Sequence, residues 1–234
     1  MKYKAVVFDL FGTLIHMISS SDDEKVLTQM ASVLSVPSDG LVRLWRSTFA
    51  QRMKGNFRNY QDCIGHICEQ LGMSVEYSQI EAATQIRFHM NRREVMTPRA
   101  DAIKVLSRLK LEGYKIGLIS NCSFETTTLW KEVPLASLID VAIFSCLVGM
   151  MKPDPRIYGL ATEQLGVEPQ DCLYVADGIG QELSAASQIG MHAVQIFVPG
   201  EDEYDSYRED WDGPVISSLN EVLKLVSGDC APII

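Results

Sequence analysis

The sequence lacks any run of about 18 consecutive apolar residues, although 47% of its 234 residues are hydrophobic. A helix that crosses a bilayer needs about 20 such residues, so we expect no membrane span. Positive charge is also scarce, because 21 basic residues face 30 acidic ones and leave a net charge of −9. An acidic surface repels phosphate backbones, which argues against a nucleic-acid partner.

Paired cysteine motifs are missing as well. The six cysteines are scattered, and none forms a Cys-x-x-Cys pair. This spacing disfavours a disulfide framework or a metal cluster and favours buried thiols in a reducing cytoplasm. The chain runs from Met1 directly into a strand-like segment without a small-residue cleavage site, so we expect no signal peptide and a cytoplasmic location. The cysteines are Cys63, Cys68, Cys122, Cys146, Cys172 and Cys230.

What the sequence does contain is an apolar segment that ends in a carboxylate. Residues 4–10 form this segment, which includes Val6, Val7 and Phe8 and is interrupted by Asp9. A short run that is apolar on both faces predicts a central strand of a parallel sheet. A carboxylate at the end of such a strand stands where ligands bind in open α/β sheets.

The rest of the chain falls into two patterns. Residues 16–96 carry four amphipathic stripes with helical spacing and no strand between them, which predicts a helical bundle. From residue 97 onward, strand-like segments alternate with helices that end at glycine, which is typical of a doubly wound parallel sheet. We therefore predict an α/β core formed by residues 1–15 and 97–234, with residues 16–96 inserted as a helical cap domain.

Polar groups follow three of the predicted strands. They are Asp9, Ser120 with Asn121, and Asp177. Because the carboxyl ends of parallel strands meet at one edge of the sheet, we expect these groups to lie close together. Lys152 precedes a predicted helix, and its ammonium group could neutralise the clustered acids. The alternative is that these residues are ordinary strand ends and a solvated lysine.

These segments resemble, in order, the four motifs of the haloacid dehalogenase-like (HAD) hydrolases. Asp9-Leu10-Phe11-Gly12-Thr13 is similar to the first motif, whose common form is Asp-x-Asp-Gly-Thr. Ser120-Asn121 resembles the second motif, Lys152-Pro153 the third, and Asp177 with Glu182 the acidic fourth. The helical insertion matches the cap of one branch of the family. The resemblance covers essentially the whole chain and implies a Rossmann-like core.

The resemblance also implies roles for these residues. Asp9 would be a nucleophile that forms a covalent intermediate, which water then hydrolyses. Lys152 and Ser120 would complete the catalytic set by stabilising charge and holding phosphoryl oxygens. Substrate contacts would come from the cap and from the motif loops. In the phosphatase version, the ligands of Mg²⁺ would be Asp9, the backbone carbonyl of Phe11, Asp177 and Glu182. The implied substrate-binding residues are Phe11, Gly12, Thr13, Asn121, Arg46 and Tyr158.

Phe11 departs from the family pattern. The family's second aspartate at this position is a general acid/base, a role worth about 10²–10⁴ in rate. A phenyl ring cannot transfer a proton, although its backbone carbonyl can still bind a metal. His16 follows shortly afterwards, near the start of the cap, and is either a replacement for this group or a hinge residue.

One enzymatic interpretation is a 2-haloacid dehalogenase. A halide leaves without a proton, so an aromatic residue in the position of Phe11 carries no cost. Dehalogenases of the family also use a cap arginine that accepts the halide, for which Arg46 is the candidate, and they keep a tyrosine where Tyr158 falls. They need no metal.

The interpretation we favour is a Mg²⁺-dependent phosphatase that acts on a small phosphorylated metabolite. Asp177 and Glu182 keep the spacing of metal ligands, and without a cation these two acids would raise the pKa of Asp9 and weaken the nucleophile. A third possibility is a non-catalytic HAD-like protein that binds a ligand or a partner. In each enzymatic case the substrate is small and anionic. The sequence does not indicate the oligomeric state.

Overall fold

The core is a parallel sheet, seen in a computed structural model that describes residues 2–198 and 207–227. Its strands occur in the order β3-β2-β1-β4-β5-β6, and every neighbouring pair is parallel. This arrangement confirms the predicted doubly wound α/β core. The strands are β1 (Ala5–Phe8), β2 (Lys115–Ser120), β3 (Val141–Phe144), β4 (Cys172–Ala176), β5 (His192–Ile196) and β6 (Val215–Ile216).

Strand β1 is central because it is apolar on both faces. Its four residues are fully buried, and it pairs with β2 on one side and β4 on the other. The register sets Phe8 level with Leu118 of β2 and Val175 of β4. The residues that follow these three strands therefore emerge at the same edge of the sheet.

A helical cap follows β1. Its apolar side chains, among them Leu27, Leu41 and Ile64, form a cluster of their own, separate from the two clusters that cover the sheet. The four predicted helices are five in the structure, since the second stripe is divided at Thr48. There the hydroxyl donates hydrogen bonds to the carbonyls of Leu44 and Trp45, and the backbone leaves helical geometry at ψ 3°. The helices are α1 (Ser20–Leu34), α2 (Ser38–Ser47), α3 (Phe49–Met53), α4 (Tyr60–Gln70) and α5 (Tyr77–Val95). The exact domain limits stay a prediction.

Helices cover both faces of the sheet. Val6 and Phe8 point to the face packed by α6 and α11, whereas Ala5 and Val7 point to the face packed by α9 and α10. This alternation follows from the two-residue period of a strand. The helices are α6 (Ala102–Leu111), α7 (Phe124–Leu129), α8 (Ser145–Val148), α9 (Pro155–Leu165), α10 (Glu182–Gln188) and α11 (Asn220–Ser227).

Several details differ from the predicted elements. The segment that follows β2 is divided between two elements, because α7 is followed by a 3₁₀ turn over Trp130–Glu132. The short elements β6 and α8 had no periodic signal, because they contain two and four residues. None of the helices in the described part of the chain is both long and apolar enough to cross a membrane.

The prediction that the cysteines are buried thiols is confirmed for those in the described residues. Five cysteines are buried free thiols, whereas Cys230 lies outside the described residues. The five are Cys63, Cys68, Cys122, Cys146 and Cys172.

Leucine truncation tests this assignment of core and surface. Leu118 on β2 is fully buried, and Leu111 at the end of α6 is 83% exposed. We expect Leu118→Ala to lower the free energy of unfolding by about 2–5 kcal/mol, because it leaves a cavity. The control Leu111→Ala should change it by less than about 0.5 kcal/mol. Urea unfolding measures both, and similar losses would contradict the packing described.

Candidate active site

Asp9 stands at the carboxyl end of β1. Its backbone N–H still pairs with the carbonyl of Val175 at 3.0 Å, so strand geometry fixes the start of the loop. The chain then turns tightly, and the N–H groups of Leu14 and Ile15 donate to the carbonyl of Leu10. Asp9 is only 5% exposed. A buried, rigidly held carboxylate is thus delivered to the edge of the sheet.

Gly12 allows this turn to approach the fourth motif. Its φ is +83°, a left-handed conformation that favours glycine. A Cβ atom at this position would lie 2.1 Å from Oδ2 of Asp177, so any side chain here would displace that carboxylate. The Gly12 N–H donates to the carbonyl of Ile15 at 2.9 Å. This N–H is therefore used within the turn, and the missing side chain of Gly12 lets Asp177 come close. The predicted substrate contact of Gly12 stays a prediction.

Three carboxylates meet at this edge. Asp9, Asp177 and Glu182 each offer an oxygen, and these oxygens lie within 4.8 Å of one another. All three residues are buried. The ammonium of Lys152 donates to Oδ1 of Asp9 and to Oε2 of Glu182. Three carboxylates against one lysine leave an excess of negative charge when all are ionised. We call these four residues the acidic cluster.

Asn121 positions Lys152. Its Oδ1 accepts the Lys152 backbone N–H at 2.8 Å, and its Nδ2 donates to the Lys152 carbonyl at 3.0 Å. Asn121 of the second motif thereby fixes the backbone of Lys152 in the third motif. Because both ends of the amide are used in this way, Asn121 supports the lysine, and the substrate contact predicted for it stays a prediction.

Two tyrosines lie behind Glu182. The hydroxyl of Tyr174 donates to Glu182 Oε2 at 2.8 Å, and that of Tyr158 donates to the Glu182 carbonyl at 3.0 Å. Both rings are fully buried and pack edge to face, with centroids 5.4 Å apart. Tyr158 therefore supports the backbone of Glu182, and its predicted contact with substrate stays a prediction. Tyr174 was missed, because a tyrosine inside an apolar strand reads as core.

The pKa values follow from burial and from mutual repulsion. Burial raises the pKa of Asp9, and although Lys152 opposes this effect, the value reaches about 6. Burial, and then the charges of Glu182 and Asp9, raise the pKa of Asp177 well above its ordinary value. Burial lowers the pKa of Lys152, but attraction to Asp9 and Glu182 outweighs this and raises it overall. The lysine is charged at neutral pH, and the raised pKa values of Asp9 and Asp177 reflect the excess of negative charge that arises when all three carboxylates are ionised.

Unsatisfied oxygens accompany this imbalance. Oδ2 of Asp9, Oγ of Ser120 and Oγ1 of Thr13 are buried without a hydrogen-bond partner among the described residues. Buried polar atoms ordinarily have a partner, so these atoms favour a bound group. Carboxylate and carbonyl oxygens are the ligands that suit Mg²⁺. The residues present therefore fit a divalent cation beside an anion, while the part of the Phe11 carbonyl stays a prediction.

The side chain of Phe11 is half-buried and packs against the apolar cluster on one face of the sheet. It offers no proton to the acidic cluster. His16 is exposed at the start of the linker to the cap.

The cap contributes a different arginine from the one expected. Arg46 is exposed on α2, so its predicted role as a halide or substrate ligand stays a prediction. Arg52 on α3 is buried, stacks 4.0 Å from the ring centre of Trp45, and donates to the Thr48 hydroxyl at 2.6 Å. Arg52 lies seven residues after Trp45 and four after Thr48, so helical spacing alone places it on the same face, and this signal was missed. Arg52 lines a small cleft between cap and core with Phe57, Asn59, Tyr60, Ser123, Phe124 and Glu125.

Comparison with known proteins agrees with this geometry. A family model described as haloacid dehalogenase-like hydrolase matches residues 3–190. An (S)-2-haloacid dehalogenase of Pseudomonas fluorescens is 30% identical over 204 residues, covering 80% of this chain and 81% of that protein. A phosphatase of Mycobacterium tuberculosis is 26% identical over 232 residues, covering 95% and 98%. The crystal structure of a HAD phosphatase from Thermococcus onnurineus superposes with a TM-score of 0.63 at 24% identity, covering 96% and 98%.

Alanine at Gly12 tests the contact with Asp177. Gly113 is the matched control, since its φ of +86° is nearly the same as the +83° of Gly12 and a Cβ atom added there would have no other atom within 4 Å. We expect Gly113→Ala to cost about 1–2 kcal/mol from backbone strain alone. Gly12→Ala should cost about 1–3 kcal/mol more, because Asp177 must move. Urea unfolding compares them, and equal losses would argue against the contact.

Proposed function

Because the chain belongs to the haloacid dehalogenase-like hydrolases, we propose that it is a Mg²⁺-dependent phosphatase of a small phosphorylated metabolite. The observation that carries this proposal is the set of buried carboxylates, whose oxygens lie within 4.8 Å of one another beside a single lysine. Burying like charges together is costly unless a cation balances them. A dehalogenase would have no use for that excess of acid.

Asp9 is the proposed nucleophile. Its Oδ1 is held by Lys152, whereas its Oδ2 has no hydrogen-bond partner among the described residues and is the oxygen that attacks phosphorus. The new oxygen–phosphorus bond replaces the bond to the leaving group and forms an acyl phosphate. Water then attacks this intermediate, which releases inorganic phosphate and restores the carboxylate.

The neighbouring groups prepare this attack. Lys152 stabilises the charged form of Asp9 and the negative charge that develops on the phosphoryl group. The unpartnered Ser120 hydroxyl is available to donate to a phosphoryl oxygen. Asp9, the carbonyl of Phe11, Asp177 and Glu182 would hold Mg²⁺. When bound, the ion neutralises the approach of a carboxylate to an anionic phosphate.

A second candidate function is the hydrolytic dehalogenation of a 2-haloacid. Two observations favour it, namely the phenyl ring of Phe11 and the 30% identity to an (S)-2-haloacid dehalogenase. In this reaction Asp9 would displace halide from carbon 2, and water would hydrolyse the resulting ester. The halide leaves as an anion, so no acid is needed where Phe11 stands.

A paired assay separates the two functions. Purified protein is given p-nitrophenyl phosphate or 2-chloropropionate, each with Mg²⁺ and with EDTA, and Asp9→Asn serves as the inactive control. We expect phosphate release that requires Mg²⁺ and is lost in Asp9→Asn. Chloride release that EDTA does not affect would instead establish the dehalogenase.

Replacing Phe11 by aspartate tests the missing acid/base. An alkyl phosphate needs a protonated leaving group, whereas p-nitrophenolate leaves readily without one. We expect Phe11→Asp to accelerate alkyl phosphate hydrolysis by about 10²–10⁴ and p-nitrophenyl phosphate hydrolysis much less. Phe11→Asn is the control, because asparagine has nearly the shape of aspartate but cannot act as a general acid. Equal effects of the two substitutions would mean that another group already performs this role.

The dependence of stability on pH tests the charge imbalance. The pKa of Asp9 in the folded protein, about 6, lies above its ordinary value of 3.8. The folded state thus binds more protons than the unfolded state between these values, and stability without metal should fall as pH rises from about 4 to 6. Above pH 6 the cost of ionising Asp9 is fully present, and the raised pKa of Asp177 adds a further cost, so Mg²⁺ should raise the unfolding temperature more at pH 8 than at pH 5. Thermal unfolding with EDTA or Mg²⁺ measures this, and an equal shift at both pH values would oppose it.

A further inference from the structure

Helix α10, which carries Glu182, begins without a cap of its own. The residue before it, Gln181, has a φ of +64° and its side chain makes no capping hydrogen bond. The first N–H groups of a helix have no partner within the helix and need an acceptor. Here the acceptor comes from a distant part of the chain. The carboxylate of Glu209 accepts the N–H groups of Leu183 at 2.7 Å and Ser184 at 3.0 Å, together with the Ser184 hydroxyl.

The residues beside Glu209 hold the loop that leads into this helix. The Glu209 N–H donates to the carbonyl of Gly178 at 2.9 Å, and the carbonyl of Tyr207 accepts the Gly180 N–H at 3.1 Å. Nη1 of Arg208 donates to the carbonyl of Asp177 at 2.7 Å. Residues 207–209, which we call the clamp segment, are therefore hydrogen-bonded to the loop that joins Asp177 to Glu182.

We propose that Glu209 is a positioning residue that sets the cation affinity of the acidic cluster through its cap on α10. A carboxylate at a helix N-terminus is favoured by the helix dipole as well as by its hydrogen bonds. The cap fixes the first turn of α10, and hence where Glu182 stands relative to Asp177. Glu209 itself accepts hydrogen bonds only from backbone N–H groups and the Ser184 hydroxyl. It therefore affects the cation site only through the position of Glu182. The part of this inference that concerns Mg²⁺ affinity rests on the proposed function.

Glu221 offers a matched control. Its carboxylate accepts the N–H groups of Ser217 at 2.8 Å and Ser218 at 3.1 Å, at the start of α11. Helix α11 packs on the face of the sheet opposite to α10. Glu221→Gln thus weakens carboxylate bonds to two backbone N–H groups just before a helix that is not linked to the acidic cluster.

The experiment compares wild type, Glu209→Gln and Glu221→Gln in the full chain. Isothermal titration calorimetry gives the dissociation constant for Mg²⁺, and urea unfolding gives the stability. We expect Glu209→Gln to weaken Mg²⁺ binding about tenfold, at the lower end of what loss of an outer-shell partner costs. Glu221→Gln should leave the dissociation constant within twofold while losing a similar amount of stability.

The outcomes separate this inference from the proposed function. If Glu209→Gln loses stability but keeps the wild-type dissociation constant, the positioning role is overturned and Glu209 is only a structural cap. If wild type binds no Mg²⁺, the phosphatase proposal fails. The positioning role is then decided by kcat/KM for chloride release from 2-chloropropionate, since Glu182 also holds Lys152. A tenfold loss confined to Glu209→Gln supports the role, and an unchanged value overturns it.

Discussion

The ammonium of Lys152, buried between Asp9 and Glu182, is the interaction on which the site depends. An ammonium and two carboxylates are stable in a protein interior only when they are paired with one another and their remaining atoms are bonded. The neighbouring residues supply this support. Asn121 binds the backbone of Lys152, while Tyr174 and Tyr158 bind Glu182. Removing one partner would leave an uncompensated charge in the core, so the motifs are coupled physically as well as by their order in the chain.

This ion pair accounts for only part of the charge. Asp177 brings a further carboxylate, which Gly12 admits by having no side chain. A phosphate would bring still more negative charge, so the geometry suits phosphoryl chemistry only together with a cation. Phe11 instead favours dehalogenation, because an apolar ring cannot donate a proton and a halide leaves without one. The site thus combines the acids expected for metal binding with the aromatic residue expected for halide release, and relatives of both kinds match the chain.

Much of the core could be predicted from the sequence because its signals are local. The apolar run before Asp9 predicts a buried strand, and parallel strands bring their carboxyl ends together without any knowledge of side-chain contacts. Residues whose role depends on packing could not be predicted in this way. Tyr174 reads as an ordinary strand residue, Arg52 and not Arg46 is the buried arginine of the cap, and Tyr158 faces inward behind Glu182. Glu209 caps a helix that begins 27 residues earlier, and no local pattern connects the two.

The central claim is that the acidic cluster requires a divalent cation. Isothermal titration with Mg²⁺ tests it most directly, using Asp177→Asn to remove one ligand and Asp171→Asn as a control at the surface, where Asp171 pairs with Lys4. We predict one ion per chain, bound by wild type and by Asp171→Asn and lost or greatly weakened in Asp177→Asn. Absence of binding in wild type, or binding that Asp177→Asn leaves unchanged, would contradict the claim.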